Sequence, residues 1–169
     1  MRRGFSHINL GRYEDAIRCF DEVLKIDPRN SGAWAGKGLA LSGLGEYEKA
    51  IGCYDKALEI DPGDAHTWDD KGSVLCSLDR YEEAIRCYDK ALEIDPEDAL
   101  TWGDKGVALS YLERYDEAMR CYDRALGIDP RRAETWVNKG SPKQAGQTGG
   151  GQRMLSQGCG HRPSACGKD

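Results

Sequence analysis

The feature that most constrains this chain is an internal repeat of 34 residues. Proline and tryptophan both return at this interval without slippage, at Pro28, Pro62, Pro96 and Pro130 and at Trp34, Trp68, Trp102 and Trp136. A fixed period of this length is typical of arrays in which each structural unit packs only on its neighbours. The chain is therefore predicted to be a series of similar structural units.

Each unit is predicted to contain two helices. In the unit of residues 65–98, Asp64 is a suitable N-cap for a first helix over 65–78, and a second helix is predicted over 81–94. Both segments carry apolar side chains at helical spacing. Pro96 ends the second helix, because proline has no N–H and disfavours helical backbone in the residue before it. One hairpin cannot bury both apolar stripes, but stacked hairpins can, so the predicted fold is all-α, an α-solenoid of antiparallel helix hairpins.

Glycine and cysteine also keep fixed places in the repeat. A glycine inside a helix costs about 1 kcal/mol relative to alanine, so its recurrence predicts close approach of helices beside large side chains such as Trp68 and Tyr88. The recurring glycines are Gly38, Gly72, Gly106 and Gly140. The recurring cysteines are Cys19, Cys53, Cys87 and Cys121. Packed helices lie ~8–10 Å apart and a disulfide needs Cα atoms within ~7 Å, so these cysteines are predicted to be small packing residues.

At these positions the sequence resembles the tetratricopeptide repeat (TPR) family. In residues 65–98 the family pattern is matched by Trp68, Gly72, Leu75, Tyr81, Ala84, Tyr88, Ala91 and Pro96. The units from Trp34 to Pro62 and from Trp102 to Pro130 fill the same places. The resemblance implies a right-handed superhelix of hairpins. The W-x-x-K-G opening resembles tandem arrays of methanogenic archaea and related microbes.

The sequence departs from the family pattern at two places in the repeat. The family's leucine before the recurring glycine is replaced here by Lys37, Lys71, Lys105 and Lys139. Its mid-repeat glycine is kept as Gly11 and Gly45 but becomes Asp79 and Glu113 in the next two units.

The predicted solenoid covers residues 1–140. It is divided into a partial repeat at 1–30, full repeats at 31–64, 65–98 and 99–132, and a partial repeat at 133–140. Residues 141–169 show no periodicity and are rich in Gly, Gln and Ser. This low-complexity tail is predicted to be disordered or frame-shifted.

Composition argues against several kinds of partner. The net charge is −5, which disfavours non-specific binding to nucleic acid or to an anionic membrane. No apolar run approaches the ~20 residues that cross a bilayer, and the N-terminus lacks the apolar stretch and cleavage site of a signal peptide. We predict a cytoplasmic protein with no nucleic-acid or membrane partner.

Catalytic and metal-binding patterns find little support. Asp69 and Asp70 are adjacent, and neighbours in sequence do not face each other on a helix. His7 and His66 fall at unrelated places in the repeat. Near the C-terminus, the spacing of Cys159, His161 and Cys166 matches no common zinc site. We predict that the chain is not an enzyme and uses no catalytic residues, cofactor or metal ion.

The family resemblance implies that a partner peptide or helix binds a concave groove lined by the first helix of each repeat. Counting round those helices, the candidate groove residues are Ala35, Leu39, Ser42, His66, Asp69, Asp70, Ser73, Cys76, Gly103, Asp104, Val107, Ser110 and Tyr111. This surface is small-residued and mildly apolar, with acidic residues on the middle hairpin. The alternative interpretation is an ordinary solvated helix surface.

The resemblance also bears on the kind of partner. Chaperone-binding relatives hold a terminal carboxylate with Lys, Asn and Arg, but the corresponding places here hold Ala35, Leu39, Asp69, Asp70 and Ser73, which would repel an acidic C-terminus. The sequence thus predicts a protein-interaction scaffold for a partner of unknown identity. Two alternatives stay open. The array could be a structural spacer that self-associates end to end, or the TPR part of a larger enzyme or regulator whose effector domain is absent.

Overall fold

The helical pattern of the sequence is realised in the computed structural model, which describes residues 1–141. Within this range the helices are α1 Arg2–Asn9, α2 Tyr13–Ile26, α3 Ser31–Gly43, α4 Tyr47–Ile60, α5 Ala65–Ser77, α6 Tyr81–Ile94, α7 Ala99–Tyr111, α8 Tyr115–Ile128 and α9 Ala133–Gly140. The predicted all-α solenoid is confirmed, and α5 and α6 match the two helices expected over 65–78 and 81–94 to within one residue. The predictions for Cys159, His161, Cys166 and the tail after residue 141 lie outside the described residues.

Helix starts follow from the residues that precede them. The side chains of Asn30, Asp64 and Asp98 accept backbone N–H bonds at the beginnings of α3, α5 and α7, at 2.9, 3.1 and 2.9 Å. Each such bond satisfies an amide that has no partner inside the helix. The N-cap predicted at Asp64 is therefore confirmed.

The turn inside each hairpin requires left-handed backbone. Gly11 and Gly45 have φ of +69° and +76°, while Asp79 and Glu113 have φ of +58° and +59°. This conformation is costly for residues with a Cβ, which explains why the family pattern has glycine there. Two of the four turns thus keep a strained residue at this place.

Stacking places the helices in two rows. Consecutive helices pack on each other, and the first helices α3, α5 and α7 also contact one another in succession, with no comparable contact between α4 and α6 or between α6 and α8 in residues 1–141. The first helices therefore form the inner row and the second helices the more widely spaced outer row.

The recurring glycines admit a recurring tyrosine. Tyr88 is fully buried, and a Cβ added to Gly72 would lie 2.6 Å from its ring. Tyr54 against Gly38 and Tyr122 against Gly106 repeat this arrangement. The predicted close approach is confirmed at Gly38, Gly72 and Gly106, with tyrosine rather than tryptophan as the side chain that fills the space. It is wrong for Gly140, where an added Cβ would meet no atom within 4 Å among the described residues, because α9 is followed by no further helix in residues 1–141.

Tryptophan and lysine instead join one repeat to the next. Trp68 Nε1 donates to the carbonyl of Pro62 at 3.0 Å, and Lys71 Nζ lies 5.6 Å from the Trp68 ring centre. The same lysine forms an ion pair with Asp55 of the preceding repeat. Equivalent ion pairs recur at Lys37–Asp21, Lys105–Asp89 and Lys139–Asp123.

The recurring cysteines are thiols in the repeat core. Cys53, Cys87 and Cys121 are buried, Cys19 is partly buried, and all four are free, as predicted.

No helix within residues 1–141 has the length and apolar character needed to span a membrane.

Candidate partner-binding groove

The predicted groove residues all lie on α3, α5 and α7, the inner row, but they differ in accessibility. The members that keep part of their surface exposed are Ala35, Leu39, His66, Asp70, Ser73 and Tyr111. The members that are buried are Ser42, Asp69, Cys76, Gly103, Asp104, Val107 and Ser110. The buried set offers little surface to a partner, so the candidate contact surface narrows to the first set.

Asp69 shows why some groove positions are covered. Its Oδ1 accepts a hydrogen bond from the Thr101 hydroxyl at 2.9 Å, and the two residues are only 5 % and 1 % exposed. Thr101 lies on α7, so this buried bond joins adjacent first helices. Counting round one helix could not detect it, because the cover comes from the next repeat.

Beneath the inner row, tyrosines from the second helices form a row of buried hydroxyls. The Tyr122 and Ser110 hydroxyl oxygens are 3.1 Å apart. The Tyr88 hydroxyl lies 3.5 Å from both Ser73 Oγ and Cys76 Sγ. Ser73 therefore has an exposed edge toward the groove and a contact with the core below it.

The first full repeat breaks this row. The Tyr54 hydroxyl is buried and has no hydrogen-bond partner among residues 1–141. The place taken by Ser73 in the next repeat is held here by Leu39, which offers no hydroxyl. Tyr54 is not among the site residues predicted from the sequence, although the contrast with Phe20 at the same place in the first repeat indicates that a hydroxyl there is optional.

The acidic residues of the middle hairpin affect the pKa of the buried Tyr54. Burial raises the pKa of its hydroxyl well above the ordinary value, and the negative charges of Asp70 and Asp69 raise it further. Asp70 is the partly exposed member of this pair. The groove is therefore negative near α5, in the part that Asp70 presents to solvent.

Metal binding has no geometric basis in the described chain. No group of three or more His, Cys, Asp or Glu side chains in residues 1–141 is arranged to hold a metal ion. What the inner row does offer is a surface with a partly exposed Leu39 on α3 and a small polar Ser73 and an acidic Asp70 on α5.

Solved structures with similar architecture are helical-repeat proteins. MamA from Desulfovibrio magneticus RS-1 is 22 % identical with a TM-score of 0.77, over 92 % of this chain and 88 % of that one. The first TPR of Spaghetti (RPAP3), bound to the HSP90 peptide SRMEEVD, is 24 % identical with a TM-score of 0.67, over 70 % and 94 %. The Arabidopsis OM64 TPR domain is 23 % identical with a TM-score of 0.65, over 68 % and 94 %. At these identities the likeness concerns the fold alone.

Comparison at the sequence level identifies the family. No curated protein matches the chain. Two family models described as tetratricopeptide repeat match residues 2–65 and 63–131, and together they cover the hairpins from α1 to α8. The chain therefore belongs to the tetratricopeptide repeat family.

Proposed function

We propose that this protein is an interaction scaffold that holds a peptide or helix of a partner protein against the inner row of α3, α5 and α7. The observation that carries the proposal is the partly exposed apolar side chain of Leu39 on α3, followed along the row by the partly exposed Ser73 and Asp70 on α5. Support by analogy comes from the RPAP3 TPR, which is bound to a peptide.

These partly exposed side chains define the ligand chemistry. Leu39 suits an apolar anchor, since buried apolar contacts carry much of the energy of such interfaces. Asp70 suits a basic side chain next to that anchor, because complementary charge selects partners and speeds association. The proposed ligand is thus an extended or helical segment with one apolar and one basic residue. A cytoplasmic partner is proposed with it.

The test begins with peptide selection on the immobilised protein, followed by fluorescence anisotropy with the selected peptides. Leu39→Glu is expected to weaken binding at least about tenfold, because a charge replaces an apolar contact of the proposed interface. Asp70→Lys should weaken the binding of peptides that contain a basic residue and leave the binding of peptides that lack one unchanged.

The control is Lys90→Glu, which introduces the same glutamate at an exposed place on α6, in the outer row. It is expected to leave affinity unchanged. Selected peptides whose affinity does not respond to Leu39→Glu would rule out the inner row as the binding surface.

A second candidate function is assembly through the end of the array. α9 packs on α8, and Trp136 and Val137 on α9 are 52 % and 70 % exposed, unlike the partly buried tryptophans of the earlier repeats. Apolar exposure of this kind is typical of protein interaction sites. Light scattering over a range of concentrations should then show oligomers that dissociate in a Trp136→Ser, Val137→Ser variant. A monomer at all concentrations would exclude this candidate.

A further inference from the structure

A second candidate surface lies on the outer row, where α2 and α4 leave a furrow above α3. The furrow encloses about 760 Å³ and is lined by residues of all three helices. Its apolar lining consists chiefly of Ile17 on α2, Trp34 and Leu41 on α3, and the Leu44 that follows α3. An apolar side chain of a ligand could therefore contact an aromatic ring and aliphatic groups there.

Gly52 keeps this furrow open. Three other repeats place arginine at the equivalent position, as Arg18, Arg86 and Arg120. Gly52 is exposed, and a Cβ built on it would meet no atom within 4 Å. The equivalent furrow between α4 and α6 is lined by Arg86 and encloses about 550 Å³, less than the α2–α4 furrow.

Most of the charge in the α2–α4 furrow is already paired. Its charged lining comprises four basic and two acidic side chains, namely Arg18, Lys37, Lys49, Lys56, Glu14 and Glu46. Three of the basic side chains form ion pairs, Lys37 with Asp21, Lys49 with Glu46 and Arg18 with Asp15. Lys56 is therefore the basic side chain of this lining whose charge can select a negatively charged ligand.

Lys56 is the cation best placed to meet such a ligand. Its ammonium lies 4.3 Å from the centre of the Trp34 ring, and no ion pair engages it among residues 1–141. The equivalent residues of the next repeats are already paired, Lys90 with Glu93 of the same helix at 2.7 Å and Arg124 with Glu97 of the preceding repeat at 2.6 Å. Lys56 thus places an unpaired positive charge over the face of the Trp34 ring.

We propose that the α2–α4 furrow binds an acidic peptide segment of a partner protein. One apolar side chain of the segment contacts Trp34 and Ile17, which are partly exposed, and a neighbouring carboxylate pairs with Lys56. The charge preference is opposite to that of the inner row, where Asp70 favours a basic ligand. The two surfaces can therefore be tested separately, and either can fail without the other.

The test is fluorescence anisotropy with a labelled, amide-capped peptide of sequence EDLFDE and its charge-swapped counterpart KRLFKR. The acidic peptide is expected to bind, and its affinity should fall as salt is raised because the contacts are at the surface. Lys56→Glu should weaken it at least about fivefold, the upper range for an exposed ion pair with added repulsion.

Gly52→Gln tests whether blocking the furrow weakens peptide binding in a protein that remains folded. Glutamine fills the furrow without changing its charge, so affinity should fall at least about threefold, while the helix propensity gained in α4 should raise the thermal midpoint. Lys90→Glu, in the neighbouring furrow, is the control and should leave affinity unchanged. Three outcomes would overturn the proposal: no binding of the acidic peptide, equal binding of the charge-swapped peptide, or an affinity that responds to Leu39→Glu but not to Lys56→Glu.

Discussion

Lys71 Nζ lies 2.5 Å from Asp55 Oδ1, across the boundary between two successive repeats. The lysine side chain is 18 % exposed and that of the aspartate 48 % exposed, so the pair lies at the edge of the core. The lysine also contacts the face of Trp68 within its own repeat. The departure from the family's leucine at this position therefore introduces an ion pair to the preceding repeat and a cation–π contact within the same repeat.

A double-mutant cycle should measure this contact directly. Lys71→Met and Asp55→Asn are expected to show a coupling of about 1 kcal/mol, the upper part of the range for partly exposed pairs, because the lysine is largely shielded from solvent. The exposed Lys90–Glu93 pair is the control and should couple by less than about 0.5 kcal/mol. Urea unfolding of the four proteins of each cycle provides the measurement. Equal coupling in the two pairs would show that burial adds nothing to the contact.

Gly72 should not tolerate a side chain. In Gly72→Ala the added methyl would meet the ring of the fully buried Tyr88 at 2.6 Å, and overpacking of this kind costs about 1–3 kcal/mol. The gain in helix propensity offsets only about 1 kcal/mol. Thermal unfolding should therefore show a lower midpoint for Gly72→Ala and a higher one for Gly52→Ala, where the space is open. A neutral Gly72→Ala would mean that the tyrosine ring can move aside.

Removing the Tyr54 hydroxyl should not lower the stability of the protein. The hydroxyl is buried with no hydrogen-bond partner among residues 1–141, so Tyr54→Phe should be neutral or stabilising by up to about 1 kcal/mol. Tyr122→Phe is the matched control. It removes a hydroxyl that lies 3.1 Å from Ser110 Oγ and should destabilise by about 0.5–1.5 kcal/mol. Equal losses in both variants, measured by urea unfolding, would show that Tyr54 has a partner such as water.

Sequence periodicity was sufficient to predict the helices, because the spacing of apolar residues and the positions of Asp64 and Pro96 are local signals. The groove was harder to predict, since the accessibility of Asp69 depends on Thr101 in the next repeat. The outer furrow is not predictable from the sequence, for the same reason. Gly52 is unremarkable within α4, and its effect depends on helices that flank it in space.

Replacing Glu113 by glycine should stabilise the protein through the turn that Glu113 occupies. Its φ of +59° is strained for a residue with a Cβ, and glycine removes that strain, although its greater freedom in the unfolded chain reduces the gain. We expect Glu113→Gly to stabilise by up to about 1 kcal/mol. Asp79→Gly should gain less, because the Asp79 carboxylate accepts a 2.6 Å hydrogen bond from the Tyr81 hydroxyl. The reverse order of the two thermal midpoints would contradict this explanation.

The buried thiols should make stability fall in mild alkali. Burial raises the pKa of Cys87 and of Cys121 from 9.0 to about 11, because the folded core disfavours the thiolate. The folded state thus holds these protons more tightly than the unfolded chain does. Their contribution to stability is complete below about pH 9 and is lost as the pH rises toward about 11.

Urea unfolding in reducing buffer at several values from pH 8 to 10.5 should therefore show a falling midpoint. A Cys87→Ala, Cys121→Ala variant is less stable at pH 8, because each substitution removes a buried sulfur. Its midpoint should nevertheless fall less steeply with pH, since two groups that release protons on unfolding are gone. The buried Tyr122, whose pKa burial raises to about 12, leaves some decline in both proteins. Identical slopes for the variant and its parent would show that these thiols do not govern the alkaline loss of stability.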